Sequence, residues 1–204
     1  MKKDASLRRR RSFREPRARF LIVCEGEVTE PAYFNDVRLH ERGIIDLEVV
    51  HGGVPKTVVE RAVEMKKQSE REAKRLKDEN RRFDRIWCVF DVDVHPFVAE
   101  ARQRAQAHAI DLAVSNPCFE LWFLLHFQSQ TAHLERQRVQ RLCREYMPGY
   151  EKAPPCDVLR PHQTAAMERA AQLENWQEQR DNAGANPSTG VHRLVREIQT
   201  ACRS

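Results

Sequence analysis

The chain has 204 residues, of which 41% are hydrophobic and 32% are charged, and its formal net charge is +5. This length fits a single domain with room for a helical extension. No apolar run approaches the roughly 20 residues of a membrane-spanning helix, and the basic N-terminus lacks the apolar segment of a signal peptide. The six cysteines form no CxxC pair and no zinc-spaced Cys/His set. We therefore expect a soluble, cytoplasmic protein with reduced cysteines and no membrane partner.

Residues 1–17 are predicted to form a flexible basic arm. Nine basic and two acidic residues within residues 1–19 give a local charge of +7, which leaves −2 for the rest of the chain. Arms of this composition often bind nucleic acid, although a solubilising tail has the same composition. For Arg17 and Arg19, which precede the first strand, a solvated position is an equal alternative. The candidate phosphate contacts are Arg8, Arg9, Arg10, Arg11, Arg14, Arg17 and Arg19.

Strands alternate with helices in the next part of the chain. Apolar runs bounded by turn residues predict the strands, and apolar residues at helical spacing predict the helices. The predicted strands are 18–24, 44–50, 85–91 and 110–114, and the predicted helices are 29–42, 57–80, 96–108 and 119–127. This alternation predicts an α/β fold with a mostly parallel sheet that helices cover on both faces.

No strand is predicted after residue 134, where the sequence indicates only helices. They are expected at about 134–146, 162–180 and 189–202, separated by loops that contain proline and glycine. We therefore predict three parts: the basic arm at 1–17, an α/β core at 18–133, and a C-terminal helical extension at 134–204 that packs on the core.

Acidic side chains follow two strands of the buried type. Glu25 comes directly after the first strand, and Asp91 and Asp93 come at the end of the third. A carboxylate beside an apolar core is costly unless something pairs with it. Ligands in open α/β sheets gather beyond the carboxyl ends of the strands, and carboxylate oxygens suit Mg²⁺ or Mn²⁺. The pattern therefore predicts a divalent-cation site.

Further residues join this site if the strands are neighbours. Ser115 ends the fourth strand, Glu120 follows one short turn later, and Gly26 lets backbone or ligand approach Glu25 closely. Glu30 either adds an outer ligand or only favours the dipole of its helix. His95 is either a proton donor or phosphate contact, or an exposed residue where a helix begins. The predicted metal ligands are Glu25, Glu30, Asp91, Asp93, Ser115 and Glu120, and the predicted catalytic residues are Glu25, Asp91, Asp93, His95 and Glu120.

The Glu25-Gly26 turn and the later Asp91-Val92-Asp93 resemble the topoisomerase–primase (Toprim) catalytic fold. In that fold the glutamate and the two aspartates bind divalent metal and act on phosphodiesters. The resemblance therefore implies a Toprim-like fold and phosphodiester chemistry.

More narrowly, the chain resembles the RloB-like family, small Toprim-related proteins linked to restriction–modification and phage-defence loci. The matching segments are 19–26, 29–34, 90–95, 115–127 and 186–192. The most specific are Ser115-Asn116-Pro117-Cys118-Phe119-Glu120-Leu121-Trp122 and Asn186-Pro187-Ser188-Thr189. The second block is typical of a loop with a helix cap. Its place in the family pattern also makes Ser188, Thr189 and His192 candidate nucleic-acid contacts.

The related overcoming-lysogenization-defect nucleases place two metals with strand-end acids and with a later serine and glutamate, which Ser115 and Glu120 match. Those nucleases tend to have Glu-Gly-x-Ser/Thr-Glu, whereas the segment from Glu25 to Glu30 is longer by one residue. Either Glu27 or Glu30 can therefore occupy the second acidic position.

These patterns and the resemblance together predict a Mg²⁺- or Mn²⁺-dependent phosphodiesterase, most simply a nuclease in anti-phage defence. Its partner is a nucleic acid, and the sequence does not choose between DNA and RNA. Two alternatives remain: a non-catalytic Toprim-like module that binds nucleic acid or nucleotide, and an interaction subunit that serves a restriction or defence complex.

Overall fold

The computed structural model describes residues 18–41, 44–49, 53–92 and 98–203. The predicted basic arm and the candidate residues Asp93 and His95 lie outside these ranges. Within them, one five-stranded sheet has the order β2-β1-β3-β4-β5, in which β1 to β4 are parallel and β5 is antiparallel. The strands are β1 Arg19–Cys24, β2 Ile44–Val49, β3 Arg85–Asp91, β4 Asp111–Asn116 and β5 Ser188–Thr189. The prediction of an α/β fold with a mostly parallel sheet is confirmed.

Helices cover both faces of this sheet. Across the described ranges they are α1 Thr29–Glu41, α2 Pro55–Leu76, α3 Val98–Ala107, α4 Glu120–Phe127, α5 Arg136–Tyr146, α6 Cys156–Leu159, α7 Gln163–Glu178 and α8 Val191–Arg203. Helices α2 and α3 pack on one face, and α1, α4, α5, α7 and α8 share a hydrophobic core with the other face. The Toprim relation itself remains a prediction.

Alternate residues of β1 belong to the two opposite cores. Phe20 and Ile22 lie in the core on the side of α4, whereas Leu21 and Val23 lie in the core on the side of α2. All four are at most 1% exposed. Because both faces of β1 are buried, its sequence is a continuous apolar run rather than an alternation of apolar and polar residues.

The helix α4 lies in the centre of the larger core. Its five successive residues Leu121 to Leu125 are completely buried. A helix that is apolar all round needs neighbours on every side, and α4 packs against both α5 and α7. The predicted helical extension therefore shares one core with the sheet, while its boundary at residue 134 stays a prediction.

The longest described helix, α2, is amphipathic in its first half and charged in its second. Val58, Val59, Ala62 and Val63 are buried against the sheet. The helix ends at Leu76, before Lys77 in a left-handed conformation. None of the helices in the described ranges is long and apolar enough to cross a membrane.

The prediction of no strand beyond residue 134 was wrong. The strand β5 pairs with the end of β4, with Ser115 opposite Thr189 and Asn116 opposite Ser188. Two residues carry no strand periodicity, so β5 exists only through this pairing. It joins the two motifs that characterise the resemblance, which lie about 70 residues apart in the sequence.

Leu124→Ala should lower the free energy of unfolding by about 2–5 kcal/mol, because it leaves a cavity in the centre of the larger core. Leu39→Ala, at a side chain that is 67% exposed, should change it by less than about 0.5 kcal/mol. Urea unfolding followed by circular dichroism measures both. Equal effects of the two substitutions would contradict the placement of α4.

Candidate acidic site at the carboxyl edge of the sheet

The carboxyl ends of β1 and β3 bring Glu25 and Asp91 together. The backbone N–H of Glu25 donates to the carbonyl oxygen of Val89 at 3.0 Å, which extends the pairing of the two strands by one residue. The backbone N–H of Asp91 donates in turn to Oε2 of Glu25 at 3.3 Å. β3 lies between β1 and β4 in the sheet, so the strands that end in Glu25, Asp91 and Ser115 are neighbours.

The first turn of α1 places Glu30 directly over Gly26. Glu30 is 6% exposed, and a Cβ atom on Gly26 would lie only 2.0 Å from its Oε2 atom. Any larger residue here would displace the Glu30 carboxylate, so glycine permits its close approach. Glu27 also borders this region but is exposed to solvent, so Glu30 is the acid that lies buried beside Gly26.

Helix α4 supplies a fourth carboxylate at its first residue. Glu120 is 9% exposed, and its Oε1 atom accepts a hydrogen bond from Nε2 of Gln140 at 2.9 Å. A cavity of about 510 Å³ opens over these acids. Its charged lining residues are the acids Glu25, Glu27, Glu30, Asp91, Glu120 and Glu151 and the bases Arg136, Arg144 and Lys152.

The crowding of these acids changes their proton affinity. Burial raises the pKa of Glu30 to about 7, and the nearby Glu120 and Glu25 carboxylates add to the shift. Burial also raises the pKa of Asp91 well above its usual range; Glu30 adds to this shift and Arg136 opposes it. Both shifts have the same origin, because a charge in a poorly solvated site and beside like charges is disfavoured.

Arg136, at the start of α5, forms an ion pair with this cluster. Its Nη2 atom donates to Oδ2 of Asp91 at 3.0 Å. Sequence reasoning missed this residue because it lies in the helical extension, 45 positions from its partner. A signal was present, since Arg136, Gln140 and Arg144 recur every four residues and therefore share one face of a helix.

The donor chemistry of this cluster fits a hard divalent cation. The donors are carboxylate oxygens, and Oδ1 of Asp91 is buried with no hydrogen-bond partner among the described residues. In the described part of the chain, however, no three His, Cys, Asp or Glu residues are arranged to hold a metal ion. Asp93, a predicted ligand, lies outside that part, and Arg136 pairs with the other oxygen of Asp91.

Ser115 has a different environment from the acids. Its hydroxyl is buried and lies 3.0 Å from the hydroxyl of Thr189, and Ser115 does not line the acidic cavity. Oγ1 of Thr189 also accepts from the backbone N–H of Val191 at 3.3 Å, as in a helix cap. Ser188 and Thr189 line a separate cavity of about 220 Å³.

Two further candidates lie away from the acidic cavity. Nε2 of His192, which is 1% exposed, is 3.2 Å from Oε2 of Glu174, and burial lowers the pKa of this histidine. Arg19 starts β1, at the opposite end of the strand from Glu25, and its guanidinium group contacts Asp46. The structure therefore brings Glu25, Glu30, Asp91 and Glu120 together at the cavity. Ser115 lies opposite Asp91 in the pairing of β3 and β4 but does not line the cavity, whereas His192 and Arg19 lie elsewhere.

The fold and this cavity define an α/β protein with an acidic crevice at the carboxyl edge of a mostly parallel sheet. The chain matches the sequence model of the RloB-like proteins over residues 20–198, and it belongs to this family. No curated protein and no solved structure matches the chain.

The stability of the metal-free protein should report the burial of Glu30. Because its pKa is raised to about 7 in the folded state, the folded protein binds this proton more tightly than the unfolded chain. This contribution lowers the free energy of unfolding as the pH rises from about 4.5 to about 7, by up to about 3 kcal/mol. Glu30→Gln should remove that part of the pH dependence.

Urea unfolding in EDTA at several pH values measures this effect, with Glu27→Gln as the exposed control. The variants must be compared with the wild type because two buried histidines, His126 and His192, have the opposite effect. Burial lowers their pKa values, so their contribution to the free energy of unfolding increases as the pH rises. The same pH dependence in the wild type and in Glu30→Gln would contradict the buried position of Glu30.

Proposed function

We propose that this RloB-like protein is a Mg²⁺- or Mn²⁺-dependent nuclease. The observation that carries the proposal is the convergence of four carboxylates from separate elements at one edge of the sheet. They line a cavity that also contains three basic side chains. Acids suited to a cation beside bases suited to phosphate are the combination that phosphodiester hydrolysis requires.

In this proposal Glu25, Asp91, Glu30 and Glu120 would supply the ligands by closing around the metal when it binds, with Asp93 as a further predicted ligand. Divalent cations, when bound, activate a water molecule and stabilise the leaving oxygen of the phosphodiester. The chain itself positions the carboxylates: Gly26 leaves room for Glu30, and Gln140 orients Glu120 through a hydrogen bond. Ser115 and His95 stay as candidates from the sequence resemblance.

Basic residues at the cavity and in the N-terminal segment account for substrate binding in this proposal. Arg144 and Lys152 line the cavity on the side of α5 and are exposed, so they can meet a phosphate that approaches the acids. The predicted basic arm adds attraction to the nucleic-acid backbone that does not depend on sequence. Membership of the RloB-like family supports, by the resemblance described above, a role in anti-phage defence.

A non-catalytic binding module is the second candidate. The ion pair between Arg136 and Asp91 favours it, because an arginine that neutralises the acids removes part of the need for a metal. In that case the protein binds nucleic acid or nucleotide and passes a signal to a partner in a restriction or defence complex.

Cleavage assays distinguish these functions. Purified protein should cleave at least one of tRNA, mRNA, single-stranded DNA and double-stranded DNA in Mg²⁺ or Mn²⁺, and EDTA should stop the reaction. Glu25→Gln should reduce the rate by more than about 100-fold, because loss of even an outer partner of a metal ligand typically costs 10–100-fold. Glu64→Gln, at an exposed acid on α2 that does not line the cavity, should retain the rate within about threefold. Cleavage that persists in EDTA and in Glu25→Gln would exclude this site.

Deletion of residues 1–15 should weaken nucleic-acid binding and flatten its dependence on salt, because the segment contains seven basic residues. The slope of log affinity against log salt should fall by several units. The matched control replaces Lys67, Arg71, Lys74 and Arg75 on α2, which are exposed, by glutamine and should leave the slope nearly unchanged. An unchanged slope after the deletion would assign the arm to solubility.

A further inference from the structure

The helix α5 lays one face across the acidic cluster. Arg136, Gln140 and Arg144 follow each other at four-residue intervals and all line the cavity. Arg136 pairs with Asp91, and Gln140 donates to Glu120. One helical face thus contacts acids that come from β3 and from α4.

The position of this face is fixed by contacts other than the ion pair. The side chain of Asn186 forms two hydrogen bonds with the backbone of Leu134, two residues before Arg136, at 3.0 Å and 2.7 Å. Val139 and Cys143 on α5 are completely buried, and Sγ of Cys143 donates to the carbonyl oxygen of Glu120 at 3.3 Å. The fold therefore presents the Arg136 side chain to the acids whether or not Asp91 holds it.

The place that Arg136 occupies is also where a cation is needed. Asp91 accepts from the guanidinium group through one oxygen, and within the described ranges its other oxygen is buried without a hydrogen-bond partner. Charges with such neighbours need a compensating cation. An arginine and a divalent ion on the two oxygens of one carboxylate lie close enough together to repel each other.

We propose that Arg136 neutralises Asp91 in the metal-free protein, competes with the divalent cation for that carboxylate, and contacts a phosphate of the substrate once released. This inference rests on the proposed function, because it assumes that the acids hold a metal. It assigns Arg136 two alternative partners, and it makes phosphate binding depend on prior binding of the metal.

A phosphate is the ligand that suits the released side chain. A guanidinium group can donate two parallel hydrogen bonds to phosphate oxygens. Arg144 and Lys152 line the same cavity, so three bases surround the phosphate. Without a metal, the surrounding carboxylates repel a phosphate and retain Arg136.

Calorimetric titration with Mn²⁺ tests the competition, with binding rather than activity as the readout. Arg136→Gln should bind Mn²⁺ about tenfold more tightly than the wild type, because the metal no longer displaces a charge-assisted hydrogen bond. Arg144→Gln removes the same charge from the same cavity without removing the Asp91 ion pair, and it should change the affinity by less than about threefold. Equal effects of the two variants would overturn the competition, since net charge alone would then account for them.

Titration with thymidine 3′,5′-bisphosphate tests the second partner. With Ca²⁺ present, Arg136→Gln should bind this probe about tenfold more weakly than the wild type, whereas in EDTA the two proteins should bind it with equally low affinity. Arg138→Gln, an exposed change on α5 away from the cavity lining, should match the wild type in both conditions. Unchanged affinity of Arg136→Gln in Ca²⁺ would overturn the phosphate contact.

Arg136→Lys keeps the inference testable if Arg136→Gln does not fold, because it retains the charge without the paired donors. The lysine variant should bind Mn²⁺ about as tightly as the wild type does. In Ca²⁺ it should bind the bisphosphate more weakly than the wild type, and binding as tight as that of the wild type would overturn the role of Arg136.

The Mn²⁺ titration also separates this inference from the proposed function. Mn²⁺ binding that Arg136→Gln leaves unchanged overturns the inference alone, whereas no Mn²⁺ binding by any variant overturns both.

Discussion

Mutual repulsion of carboxylates beside an apolar core is the constraint on which the functional region depends. Glu30 and Glu120 are at most 9% exposed, and both lie close enough to Asp91 to raise its pKa. A solvated surface would tolerate these charges, but the edge of this sheet does not solvate them fully. Raised proton affinity and the ion pair with Arg136 therefore compensate these charges in the fold, and in the proposed function a divalent cation is a third source of compensation.

The rest of the molecule holds this unfavourable cluster in place. The sheet brings Glu25 and Asp91 into hydrogen-bonding distance, and its two buried faces provide the stabilisation that offsets the repulsion. Gly26 admits Glu30, and α4 carries Glu120 out of the centre of the larger core. A site of this kind stores electrostatic strain that a bound cation relieves, which is a common property of functional sites.

The two motifs on which the sequence resemblance mainly rests pair with each other in this structure. Ser115 and Asn116 pair with Ser188 and Thr189 as β4 and β5. Asn186, from the second motif, then binds the backbone of Leu134 just before α5. The later motif therefore connects the edge of the sheet with the helix that carries Arg136.

The sequence alone determined the α/β class, the parallel strands and the acids at their ends, because apolar runs followed by carboxylates are local patterns. It also placed Glu25, Asp91 and Glu120 at one edge, since parallel strands share the side on which they end. It left open whether Glu27 or Glu30 takes the second acidic position, and only the tertiary structure shows that Glu30 is the buried one. Tertiary structure alone also created β5 and brought Arg136 to Asp91, because both depend on contacts between residues far apart in the chain, and no local periodicity records such contacts.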